Sequence, residues 1–162
     1  LRLEHTAIEY TGNVYDLDTD DITPQSGSDS YLNVLPGVHF KFDASENTVI
    51  RAAWTNTLAR PSYFDLTPYV AFSVNDQELE KGNPNLKAST ASNLDLMMEH
   101  YFKSIGIVSD GVFYKKINDF IYTRRQENFT DPENPQFGTD LEFSQPENGG
   151  DANVVGFEVS FQ

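Results

Sequence analysis

Apolar and polar residues alternate with a period of two over several stretches of this chain, and the breaks between the stretches are by turns tight and long. Residues 31–43 (YLNVLPGVHFKFD) and 48–60 (TVIRAAWTNTLAR) are parted only by Ala44, Ser45, Glu46 and Asn47, and residues 93–102 and 105–122 only by Lys103 and Ser104. The remaining connections, residues 16–30, 64–92 and 130–152, are long. A period of two puts successive side chains on opposite faces of a strand. Strands of about ten residues joined by short turns at one end and long loops at the other are what a transmembrane β-barrel of the outer-membrane type requires. The pattern therefore predicts an all-β chain, an antiparallel up-and-down meander of about six strands forming a segment of a large transmembrane β-barrel, with residues 1–162 as one partial barrel domain.

The individual stretches differ in clarity. Residues 1–15 predict a first strand with Leu1, Leu3 and Ala7 on one face and Arg2, Glu4 and Thr6 on the other, although Ile8 and Tyr10 fall on the polar side. The second strand sets Val34, Val38, Phe40 and Phe42 against His39, Lys41 and Asp43, with a local distortion expected at Pro36 because proline removes a ladder hydrogen bond. In the third strand Ile50, Ala52, Trp54 and Leu58 oppose Arg51, Thr55 and Thr57. The fourth is the cleanest, with Leu94, Leu96, Met98 and Phe102 against Asn93, Asp95, Glu99 and Tyr101, and His100 as the one polar intruder. The fifth, over residues 105–122, is mixed and long enough to project beyond a membrane; the sixth sets Val155, Phe157, Val159 and Phe161 against Gly156, Glu158 and Ser160.

Charge changes the picture more than hydropathy does. A mean hydropathy of −0.49 matches a water-soluble protein, but a barrel strand alternates lipid-facing with lumen-facing residues and never shows the ~18-residue apolar run of a membrane helix. The net charge is −14, and the three long connections hold 15 of the 25 acidic residues but only Lys81 and Lys87 of the basic ones. This distribution excludes the basic stripe of a nucleic-acid surface and predicts either solvated loops or an acidic vestibule. The chain has no cysteine, so disulfides and thiolate chemistry are excluded. Aromatic residues make up 13% of the chain and many lie near strand ends, the placement of interfacial girdles.

Four ordered segments carry a resemblance. The run RAAWTNTLARPSYFDLTPY at 51–69 resembles the barrel signature of TonB-dependent outer-membrane receptors, an arginine-bearing strand leading to Ala59, Arg60 and Pro61 and an aromatic-rich loop. Leu35, Pro36 and Gly37 before an alternating strand, GNPNL at 82–86 before NLDL at 93–96, and GVFYK at 111–115 before INDFI at 117–121 follow in the family's order. The chain departs from the pattern at Ala88 and Ser89, where the family continues with proline and an acidic residue, and at Gln162, where the family's final strand ends on an aromatic residue. No basic region followed by an apolar core opens the chain at Leu1, so an interior excerpt is expected, without the family's plug domain.

The resemblance implies residence in the cell outer membrane among its lipids and the import of a scarce nutrient such as an iron chelate, a vitamin or an oligosaccharide. It further implies energy from the TonB complex acting on a plug outside this segment. No cofactor and no nucleic acid are expected, and an isolated six-strand piece, left with two open edges and an uncovered apolar face, is expected to curl, to self-associate with a second copy or to stay in detergent.

The chemistry legible in the sequence is sparse. Asp16, Asp18 and Asp20 have the spacing of a calcium loop but lack its glycine and its closing glutamate, which makes them weak metal candidates. Carboxylate pairs such as Glu78 with Glu80 or Glu142 with Glu147 are explained by loop acidity, so no enzyme is expected. His5, His39 and His100 show no ligand spacing, and the Asn128–Thr130 acceptor sequence has no meaning in a bacterial outer membrane. Arg60, Tyr63, Tyr69 and Phe72 cluster at the end of the third strand and in its following loop, where stacking and hydrogen bonding to a bound solute are expected. The competing reading is a soluble extracellular β-sandwich that binds glycans through aromatic loops, which requires the apolar faces to meet as two packed sheets.

Overall fold

The computed structural model describes residues 1–16, 21–104 and 106–162. The strands are β1 (Arg2–Asp16), β2 (Asp21–Leu35), β3 (Gly37–Ser45), β4 (Thr48–Ala59), β5 (Val70–Ser73), β6 (Glu78–Lys81), β7 (Ser89–Phe102), β8 (Gly106–Asn118), β9 (Ile121–Phe129), β10 (Leu141–Asn148) and β11 (Ala152–Phe161), with a 3-10 turn at Pro135–Phe137.

Five of them form one antiparallel sheet in the order β11-β8-β7-β4-β3, and β1 pairs with β2 along its full length. Strands β2 and β3 follow one another with only Pro36 between them, and the Pro36 carbonyl accepts a hydrogen bond from the Asn56 amide at 3.0 Å. The proline thus interrupts a single long strand, as the sequence predicts. Counted this way the wall has six strands, each paired with its sequence neighbour in the wall.

Register separates the two faces of this wall. Directly opposed residues of antiparallel strands share a face, so Phe40, Ala52, Leu96, Val112 and Phe157 form one row across β3, β4, β7, β8 and β11. The rows on either side are Val38, Trp54, Leu94, Tyr114 and Val155, and Phe42, Ile50, Met98, Asp110 and Val159. Among the described residues no layer covers them: Phe40 is 71% and Phe157 78% exposed. The opposite face carries Lys41, Arg51, Asp95, Glu99 and Glu158. Along β8 the apolar rows run from Tyr114 to Val108, about 20 Å at ~3.3 Å per residue, close to the ~25 Å apolar band of an outer-membrane barrel.

Polar tips mark the upper limit of the band. The Trp54 indole N–H donates to Ser92 Oγ at 3.0 Å and the Tyr114 hydroxyl donates to Asn153 Oδ1 at 2.6 Å. Their partners belong to the next row, Asn56, Ser92, Lys116 and Asn153, which is polar throughout. At the opposite limit Thr48 Oγ1 and His100 Nδ1 lie 2.9 Å apart.

The sandwich reading fails on this topology, because the apolar faces do not meet and the strands of the wall pair in sequence. Three sequence boundaries also shift. The connection over 16–30 is mostly strand, since β1 and β2 keep their register out to Asp16 opposite Asp21. The stretch over 105–122 is not one strand: β8 ends at Asn118, Asp119 takes a left-handed φ of 53°, and the chain re-enters extended structure as β9.

The third shift concerns the other long connections, which fold into a four-stranded sheet in the order β5-β6-β10-β9. Its central pair, β6 and β10, is parallel, with Leu79 opposite Phe143. Both are the descending legs of their excursions, one leading to β7 and the other to β11, so they run the same way. The simple meander therefore describes the wall and not this outer sheet. Leu79 and Leu141 are fully buried with Phe137 and Phe143, and Phe72 and Phe129 pack around them.

Candidate ligand cavity at the outer face

The outer sheet sits on the long-connection side of the wall, and a cavity of about 710 Å³ opens beside it. Three excursions contribute: Gln25 from β2, residues 68–70, 72, 74 and 81–85 from the β4–β7 connection, and Glu133, Asn134, Phe137 and Gln145 from the β8–β11 connection. Its size falls within the ~300–1,000 Å³ of small-molecule sites. The GNPN turn at 82–85 is pinned from two sides. The Gly82 amide donates to the Tyr69 carbonyl at 3.0 Å, while Asn83 Nδ2 donates to the Pro146 carbonyl at 3.0 Å. A side chain at Gly82 would collide with the Thr67 carbonyl, so glycine permits this close approach.

An ion triad ties the two larger connections together. Lys81 Nζ lies 2.7 Å from Asp131 Oδ2 and 3.0 Å from Glu133 Oε2, and Asp131 is only 1% exposed. Burial alone would raise the Asp131 pKa, but the hydrogen bonds from Lys81, Asn134 and the Glu133 amide outweigh it and hold the carboxyl below its ordinary value. Burial likewise opposes the charge on Lys81, yet its two carboxylate partners raise its pKa. Gln145 Nε2 donates to the Gly82 carbonyl at 2.9 Å and Asn148 Nδ2 to the Lys87 carbonyl at 3.0 Å, so the connections are joined at several points.

Of the four residues expected to bind solute, the structure brings two together. Tyr69 and Phe72 both line the cavity. The Tyr69 hydroxyl donates to Glu80 Oε1 at 2.8 Å, and burial, followed by the Glu80 carboxylate, pushes the phenol pKa up. Phe72 has a more structural role than its sequence suggests, because its ring packs 4.6 Å from that of Phe137 at the edge of the buried core. Arg60 lies elsewhere, in a concavity of about 590 Å³ on the polar face of the wall, donating to Glu4 Oε2 and Thr6 Oγ1 at 3.2 Å each. Tyr63 is 82% exposed and lines none of the described cavities.

Asp18 and Asp20 lie outside the described residues; Asp16 closes β1, with its side chain also outside them. Among the described residues no group of three histidine or acidic side chains is placed to hold a metal ion. Sequence reading missed Lys81, Asn134 and Gln145 as cavity residues and Asp131 as the buried partner of Lys81. Asn83 and Asn85 had a signal in the GNPN motif; the others had none, because their proximity arises from contacts across more than 40 residues of chain.

The profile of the outer membrane protein beta-barrel family matches residues 1–162. The chain belongs to this family. Its place is the outer membrane, with the uncovered apolar rows facing lipid and the charged face turned to the barrel interior. Among solved structures it is similar to the Serratia marcescens hemophore receptor HasR, seen in complex with its hemophore HasA and heme, with a TM-score of 0.68 and 11% identity over 98% of this chain and 27% of that one. The siderophore receptor PirA of Pseudomonas aeruginosa superimposes with a TM-score of 0.66 and 16% identity over 98% and 31% of the two chains. The ferric enterobactin receptor PfeA of the same organism, in complex with enterobactin, gives 0.60 and 17% over 94% and 22%. At these identities the likeness is one of fold, and this family member spans less than a third of the length of each of them. No curated protein sequence matches the chain.

Proposed function

We propose that this chain is the wall and outer-loop portion of a TonB-dependent outer-membrane receptor that imports a scarce nutrient, and that it has no catalytic role. The observation that carries the reading is the combination of a two-faced wall, apolar toward lipid and charged toward the lumen, with a folded outer sheet that holds an open cavity above it. A wall alone would serve any porin. An ordered cavity built from three excursions and braced by the Lys81–Asp131 pair is what a receptor needs to hold a solute before import. Tyr69 and Phe72 are the candidate contacts, with Arg60 holding the wall near the mouth and Tyr63 at the exposed rim. Energy transfer falls to the TonB complex acting through a plug, a part these residues do not include.

The test is uptake by cells producing the full-length receptor, supplied with radiolabelled ferric chelates and oligosaccharides. Uptake of at least one probe, abolished by a protonophore, is expected. Passive uptake insensitive to the protonophore would turn the reading into that of a diffusion channel.

A further inference from the structure

The lining of the outer cavity is short of free positive charge and rich in carboxamides. Lys81 is the one cation among the lining residues, and both Asp131 and Glu133 neutralise it within 3.0 Å. Of the two arginines on the adjoining strand β9, Arg124 pairs with Glu147, and Arg125 lines a separate cavity with Glu78, Glu80, Glu127 and Glu142. With β9 included, residues 16–30, 64–92 and 119–152 carry 17 carboxylates against Lys81, Lys87, Arg124 and Arg125, so a polyanion approaching within a Debye length of about 10 Å meets net repulsion. Gln145 Oε1 and the side chains of Asn85 and Gln25 make no hydrogen bond among the described residues and line the same space as the Tyr69 and Phe72 rings. An amide group offers both donors and acceptors, and aromatic faces cover apolar CH surface, a pairing that suits neutral polar solutes.

We infer that the cavity takes an uncharged, hydroxyl- or carbonyl-rich ligand, and that a polyanionic chelate is excluded from it. This rests on the reading of the chain as part of a nutrient receptor. Two sources share that chemistry, an uncharged ferric trihydroxamate and a neutral oligosaccharide, and both differ from a trianionic ferric tris-catecholate.

The experiment measures binding of these three probes to the purified full-length receptor at low and high salt, alongside energised uptake of each by cells. One of the uncharged probes is expected to bind at least about tenfold more tightly than the catecholate, with little change on adding salt; which of the two binds identifies the source. Replacing Gln25 and Asn85 together with alanine, both exposed side chains, is expected to weaken that binding by about tenfold, the loss of two ordinary hydrogen bonds. Tighter binding of the catecholate, no binding of either uncharged probe, or an unchanged affinity in the double variant overturns the inference. Energised uptake of the catecholate alone would do so while leaving the receptor reading intact, whereas protonophore-insensitive uptake of every probe would remove both.

Discussion

The wall and the outer sheet are built from the same alternation and arrive at opposite arrangements. In the wall, Phe40, Leu96 and Phe157 stand uncovered on one face and charges line the other. In the outer sheet, Leu79, Leu141 and Phe143 are buried against one another and Glu78, Glu80 and Glu142 face water. Period-two patterning fixes which residues share a face, but the solvent decides what that face is for. Hydrocarbon accepts an apolar surface as it stands, so the wall needs no internal partner. Water does not, so the outer connections had to find each other, and the meeting of β6 with β10 closes a small core from segments distant in sequence.

This contrast is sharpest at the ion triad, where the largest effect is expected. Lys81→Met leaves Asp131 charged and buried without its partner, which costs about 3–5 kcal/mol in comparable sites. The outer connections should become protease-sensitive in the full receptor, while the heat-modifiable gel shift of the folded barrel is retained. Loss of both together would show that wall and outer sheet are one cooperative unit. The same pair sets a pH window. Asp131 titrates below its ordinary 3.8 in the fold, so its contribution is present above that value and disappears as pH falls through the lower folded pKa. Lys81 titrates above 10.5, so its contribution is present below that value and disappears as pH rises through the higher folded pKa. Proteolytic resistance of the outer connections should therefore be flat across the neutral range and fall only at the two extremes.

A substitution in the wall tests the other half. Val112→Arg puts a charge into the middle apolar row, and about 2–4 kcal/mol of barrel stability in lipid vesicles should be lost. Ser109→Arg, on the lumen face of the same strand, should change that stability by only about 0.5 kcal/mol. Equal losses from the two would mean that the faces have been assigned wrongly.

A gain is expected at one position of the apolar face. Asp110 lies in the row of Ile50, Met98 and Val159, a carboxylate on the apolar face. Asp110→Leu should stabilise the barrel in vesicles by about 1 kcal/mol, less than the cost of a cation at the same depth. Denaturant titration of the two proteins in the same vesicles measures the difference.

How much of this was legible in the sequence depends on the range of the contacts involved. The wall was, because alternation, the tight breaks at Ser45 and Ser104 and the proline at position 36 are all local signals. At the site, Tyr69 and Phe72 are close in sequence and line one cavity, while the packing of Phe72 against the buried core is a long-range contact that no local signal records. Arg60 was expected in the loop cluster, but its partners on β1 are more than 50 residues away in sequence and hold it against the wall.

By itself, then, the sequence determined the strands of the wall, their two faces and their neighbours, because antiparallel neighbours joined by short turns have little freedom in register. It also determined that the long connections are acidic. Only the tertiary structure decided that two of those connections share a sheet with a parallel pair, that Lys81 is consumed by Asp131 and Glu133, and that the carboxamides of Asn85, Gln145 and Gln25 face one cavity. Such pairings join residues separated by tens of positions, and no periodicity records which of many acidic or amide side chains will meet. Their choice is made by the burial of Leu79, Leu141 and Phe143, a core that exists only once both connections have folded.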